Sequence, residues 1–117
     1  MVVCKRIYEP SSSKDGYRVL IDRLWPRGVK REEAAIKEWL KELAPSSELR
    51  RLATTDKSKW AEFQRRYRME LSKPELQPTL ERLRKIARSG TLTLLYAKRD
   101  TQHNNAVVLK EVLEEGL

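Results

Sequence analysis

One cysteine, one histidine and one phenylalanine stand among 117 residues. Each scarcity removes a class of protein. A lone thiol, Cys4, cannot close an intramolecular disulfide, so the chain is not a stapled scaffold of an oxidising compartment. With His103 as the sole imidazole, no Cys/His set exists for a structural zinc site. No stretch approaches the roughly 18 apolar residues of a membrane span. The apolar part of MVVCKRIY is too short for a secretory signal, and the expected location is the cytoplasm. No internal repeat, low-complexity tract or linker interrupts the chain. A Gly-rich phosphate loop, a GxSxG elbow and a Cys-His pairing close in sequence are all missing.

Charge, by contrast, is plentiful. Charged residues make up 36% of the chain and apolar ones 39%, with a net charge of +8. A length of 117 residues suits one domain, spanning residues 1–117, with one real core. Lys, Arg and Glu are favoured over Gln, Asn, Cys and Met, a bias that suits heat-adapted proteins. The positive field would attract polyanions such as nucleic acid or phosphorylated metabolites. It is equally what solubility alone would require.

Hydrophobic period assigns the elements. Val2 to Tyr8 reads as a strand, with Val2 and Cys4 on one side and Val3 and Ile7 on the other. Tyr17 to Asp22 is a second strand, whose continuous Val19-Leu20-Ile21 suggests burial on both faces, as in a parallel sheet. Pro26 and Gly28 end it, and a short helix is expected over Lys30 to Ala34. Ala35 to Leu43 fits a helix through Ile36, Trp39 and Leu43, and a strand through Ile36 and Leu40. Ser46 or Ser47 caps a short helix through Leu52. Trp60, Phe63, Tyr67 and Leu71 form the apolar stripe of a longer one. After Pro74 and Pro78 another helix runs to about Arg88 and ends at Gly90. Thr91 to Tyr96 is strongly strand-like, and Asn104 or Asn105 caps a last helix with Ala106, Leu109 and Leu113 inward. Strands separated by helices give an α/β class, a small three-layer-type domain with a mostly parallel four-stranded sheet flanked by helices. The short link from Tyr8 to Tyr17 leaves a mixed sheet open.

In such sheets ligands bind beyond the carboxyl ends of the strands. Two strand exits here are unusually polar. One gives Asp22, Arg23, Trp25 and Arg27; the other gives Tyr96, Lys98, Asp100, His103, Asn104 and Asn105. Asp22 and Asp100 are the candidate catalytic acids or bases, or holders of a hydrated magnesium ion. Arg23, Arg27 and Lys98 suit an oxyanion, His103 could move protons near neutrality, and Trp25, Tyr96, Asn104 and Asn105 complete the ligand-binding set. Each has a plainer reading: a salt bridge for Asp22, a cap for either Asn or for His103, a packing anchor for Trp25, a half-buried strand end for Tyr96. No metal site or resident cofactor is assigned.

The segments CKRIYEP, DGYRVLIDRLWPRG, EWLKELAPSSELR and LTLLYAKRDTQHNNAVVL, in that order, resemble the YeaO-like family of bacterial and archaeal domains of unknown function. The resemblance covers nearly the whole chain and implies family and fold rather than an activity. Longer relatives look similar in plan, with an Asp-x-Arg and a Pro-Arg after one strand, then a Lys-Asp and a Cys-His-Arg opening the last helix. Asp22, Pro26-Arg27 and Asp100 match these, but Asn104, Asn105 and Ala106 stand where those relatives carry Cys, His and Arg. Thiol chemistry there does not carry over. The same comparison favours a strand around Ile36 to Leu40.

Three functions follow as expectations. The first is a site for a phosphate- or carboxylate-bearing small molecule, with or without catalysis. The second is a nucleic-acid-binding module using the basic helix surface of residues 57–73. The third is a scaffold whose polar cluster only locks its loops.

Overall fold

The computed structural model describes residues 1–52 and 56–117. Four strands, β1 (Val2–Arg6), β2 (Tyr17–Leu20), β3 (Glu38–Trp39) and β4 (Leu92–Tyr96), form one sheet in the order β1-β4-β2-β3. Every pairing is parallel: Val2 opposes Leu92, Tyr17 opposes Leu92, and Leu20 opposes Trp39. The short link after β1 therefore does not force an antiparallel strand. It crosses β4 on a single 3₁₀ turn, Ser13–Asp15, closed by a reciprocal Ser12–Asp15 capping box. At Gly16, with φ 62°, a Cβ would stand 2.3 Å from the Thr91 carbonyl oxygen. Only glycine lets the chain turn into β2 this close to its neighbour.

The helices α1 (Ser47–Leu52), α2 (Trp60–Leu71), α3 (Gln77–Ser89) and α4 (Asn105–Glu115) all bury residues in one core. Val19 and Ile21 of the second strand segment and Leu92, Leu94 and Tyr96 of β4 meet Phe63, Tyr67, Leu71, Leu80, Leu83 and Leu109 there. The stripe read from period 3.6 on α2 is the face that enters this core, with Trp60 packed at its margin. Pro78 sits in the first turn of α3, where its missing N–H is harmless.

The opposite face of the sheet is covered differently. Ile7, Leu20 and Leu95 pack against Ala34, Trp25, Val29, Ile36 and Trp39, from a segment that holds the 3₁₀ turn Arg31–Glu33 and ends in β3 but carries no α-helix. The third layer is thus coil rather than α-helix. The expected helix over Lys30–Ala34 is this shorter turn. The ambiguous Ala35–Leu43 holds both forms: the two-residue β3, then a 3₁₀ turn at Lys41–Leu43. Leu40 N–H still bonds to Leu20 O at 2.8 Å, continuing the strand pairing.

A polar cluster is sealed into the same face. Lys5 Nζ reaches both Asp15 oxygens at 3.0 Å, and Arg18 Nη1 donates to Asp15 at 2.5 Å. The remaining donors of Arg18 go to the Ala34 and Ala35 carbonyls, and Thr93 Oγ1 donates to Asp15 O. Burial raises the Asp15 pKa, but the bonds from Lys5, the Ser12 N–H and Arg18 outweigh it and hold the carboxyl below its ordinary value. Ala35 takes a left-handed φ of 52°, which presents its carbonyl to Arg18. Among the described residues, no helix is long and apolar enough to cross a membrane.

Candidate functional site

Asp22 lies one residue beyond the buried run of β2 and ties four elements together. Its Oδ2 accepts from Ala97 N–H at 2.9 Å, just after β4, and its Oδ1 from Asn105 Nδ2 at 3.1 Å, at the start of α4. Its carbonyl accepts from Trp39 Nε1 at 2.7 Å, on β3. Asn105 Nδ2 also donates to Ile21 O. Burial pushes the Asp22 pKa up, against the bonds from Asn105 and Ala97 and the positive charge of Arg50.

A cavity of about 640 Å³ opens over this junction. Asp22, Arg23, Trp25, Arg27, Lys98, Asn104 and Asn105 line it, so both polar strand exits contribute, as parallel pairing in one sheet requires. Arg50 and Arg51 of α1 join them, with Phe63 of α2 and the apolar Leu24, Pro26 and Pro45. Five cationic side chains and one carboxylate therefore border the space. Arg23 Nη2 also approaches Pro45 O at 3.5 Å. Burial lowers the Lys98 pKa, opposed by the charge of Asp100.

The loop that carries Arg23 to Arg27 is held in shape. Val29 N–H returns to Pro26 O, and Gly28 takes φ 79° at the third position of that turn, where a side chain would be strained. Trp25 Nε1 donates to Val29 O at 2.7 Å, and Tyr8 Oη donates to Arg27 O at 2.9 Å.

Three expected site residues lie outside the cavity lining. Tyr96 is buried in the helix-side core. Asp100 folds onto its own loop, accepting from the Gln102 and His103 N–H groups and facing His103 Nδ1 at 3.0 Å. The Gln102 N–H is the largest of the influences that draw its pKa down to about 2, followed among the favourable ones by the His103 side chain and N–H. His103 in turn stands edge-on to Trp60, centroids 5.1 Å apart. Asn104 lines the cavity with one edge of a residue otherwise committed to structure: its Oδ1 caps α4 by accepting from Val107 N–H, and its Nδ2 donates to Asp100 O. Arg50, Arg51 and Phe63 escape sequence reasoning, since a short helix with two arginines reads as an ordinary solvated surface.

Residues 1–117 match the model of a family described as the inactive DUF488-N3 subclade. The chain belongs to that family. Among relatives of this DUF488-N3 chain, the uncharacterized protein YeaO of Escherichia coli (strain K12) is 44% identical over 112 residues, 96% of each chain. Uncharacterized proteins of Mycobacterium bovis and Mycobacterium tuberculosis are 35% identical over 108 residues, covering 92% of this chain and 89% of theirs. No solved structure matches it. The YeaO-like resemblance carried by DRLWPRG and the terminal block is thus a true family relationship. The chain's one thiol is not at the head of α4. Cys4 is half-buried on β1, donates to Ala106 O at 3.3 Å, and has its pKa pushed by burial to about 11. Among the described residues no group of three or more His, Cys, Asp or Glu could hold a metal ion.

Proposed function

We propose that the chain binds a small phosphate- or carboxylate-bearing molecule in the cleft at the carboxyl edge of the sheet, in the cytoplasm, without turning it over. The observation that carries this reading is the charge of the lining: Arg23, Arg27, Arg50, Arg51 and Lys98 against Asp22 alone. Arginine forks match oxyanion geometry, and the first turn of α4 adds the positive end of a helix dipole. The absence of turnover rests on two supports. Asp22 is committed to the Ala97 N–H and Asn105, while Asp100 and His103 satisfy one another away from the cleft. The family's description as inactive agrees with it.

The test is calorimetric titration with inorganic phosphate at low salt, on wild type and on Arg27→Ala and Arg50→Ala. Wild type should bind saturably, and each variant should lose about tenfold in affinity, on the order of one charge-assisted hydrogen bond. Both arginines are exposed, so melting temperatures should stay within about one degree of wild type. Undetectable binding in wild type, or unchanged affinity in both variants, would overturn the reading. Binding of a short DNA duplex along residues 57–73, with none of phosphate, would replace it with a nucleic-acid interface.

A further inference from the structure

We propose that the ligand of this cleft is a phosphate ester on a planar aromatic ring, of the nucleoside monophosphate class; this rests on the anion-binding reading above. The cations account for only part of the lining. Leu24, Trp25, Pro26, Pro45 and Phe63 supply an apolar part that a bare oxyanion would not use. Leu24 leaves 63% of its surface exposed, three residues after the fully buried Ile21. An apolar side chain held open at a cavity mouth gains from a ligand that covers it.

The Trp25 part of the lining is also fixed in advance, packed against Trp39, which lies outside the lining. Trp25 is pinned by its bond to Val29 O, and Trp39 meets it edge-on with centroids 5.3 Å apart and planes at 68°. Trp39 is itself anchored to Asp22 O. The Arg31 guanidinium sits 4.7 Å from the Trp25 ring centre and 5.4 Å from that of Trp39, and Lys41 Nζ sits 3.9 Å from Trp39. A ring locked by cations and an indole edge needs no ordering when a ligand arrives, which is where preorganised sites gain affinity. The space of about 640 Å³ falls within the range of roughly 300–1,000 Å³ that small organic ligands occupy. One end of such a ligand answers the five cations and the other answers the indole. A mononucleotide has both, and aromatic stacking of a base is sequence-tolerant and worth roughly five- to a hundredfold in affinity.

The experiment uses the full chain and five probes: inorganic phosphate, ribose 5-phosphate, adenosine 5′-monophosphate, uridine 5′-monophosphate and adenosine. Affinities come from calorimetry, and tryptophan fluorescence is followed in parallel. At least one of the two mononucleotides should bind tenfold or more tightly than ribose 5-phosphate and should quench tryptophan emission, which ribose 5-phosphate should leave unchanged. Adenosine should bind more weakly than its phosphate. In Trp25→Leu the gap between mononucleotide and ribose 5-phosphate should shrink to about twofold. Trp25 also packs in the second core, so the wild-type panel decides even if that variant does not fold. Equal affinities for all four phosphates would overturn this inference and leave the anion site standing. No binding of any phosphate would overturn both.

Discussion

Two gatherings of charge in this molecule follow opposite rules. On the coil-covered face of the sheet, Lys5, Asp15 and Arg18 answer one another within hydrogen-bond reach, and the spare donors of Arg18 end on backbone carbonyls. At the carboxyl edge, five cations share the surroundings of one acid, and that acid is turned toward the end of β4 and the head of α4. The first arrangement is closed, and its energy lies in the fold. The second borders a cavity rather than a packed layer, and on the proposed reading its excess positive charge is what a ligand would meet. Buried charges that are paired stabilise little against an apolar alternative, yet breaking the pair is costly. Clustered exposed charges do the reverse: losing one changes stability slightly and binding a great deal.

The sharpest way to break the comparison is Asp15→Ala. It strands Arg18 and Lys5, whose side chains are 5% and 16% exposed. The expected loss is about 3–5 kcal/mol in chemical denaturation, with phosphate affinity unchanged in whatever fraction stays folded. The same residue gives a pH signature. Its folded pKa is below the unfolded value, so its contribution is complete above the ordinary aspartate range and fades as pH falls through the folded value. Wild type should lose stability along that acid slope, and the variant should show a shallower one.

Asp22→Asn tests the other cluster. Burial raises the Asp22 pKa, so its ionised form is penalised in the folded state. Its contribution is most favourable below the ordinary aspartate value and is lost as pH rises through the raised one. The variant sheds that penalty but turns an amide N–H toward the Ala97 N–H or Asn105 Nδ2, so it should fold about 1–2 kcal/mol less stably than wild type at neutral pH. It should bind phosphate about threefold or more tightly, because a like charge has gone. Weaker binding would show that the carboxylate itself touches the ligand. The smallest effect belongs to Ala35→Gly. Relief of a left-handed alanine contributes up to about 1 kcal/mol, partly offset by glycine's extra freedom in the unfolded chain. A rise of a few degrees or less in melting temperature is expected, with no change in binding.

Much of the closed architecture is legible in the residue pattern. Val19-Leu20-Ile21 and Leu92 to Tyr96 announce buried parallel strands, and Phe63, Tyr67 and Leu71 announce the inner face of α2, because period and composition are local signals. The coil layer is illegible for the same reason: Trp25, Val29 and Ile36 have no period to betray that they share a face. β3 is only two residues long, too short for alternation to register. At the cleft, strand-end logic places Asp22, Arg23, Arg27 and Lys98 together. It cannot find Arg50 and Arg51, which reach the cleft through the long excursion from β3 to β4. It also includes Asp100 and His103, where a local turn wins: an aspartate that bonds to the N–H groups two and three residues on closes its own loop.

The position of β4 bears on how this chain acquires its shape. Every strand contact of β1, and the ladder that joins β1's side of the sheet to β2, runs through residues 92–96. A ribosome delivers these about ninety residues after β1. Until then β1 and β2 have no partner in common, and the only strand pairing open to the emerging chain is the two-residue ladder of β2 with β3. High sequence separation between paired strands slows folding and prolongs exposure of unpaired edges. Completion of the sheet therefore waits for β4, which lies between β1 and β2. The cleft at the carboxyl edge, lined from the exits of β2 and β4, waits for the same strand.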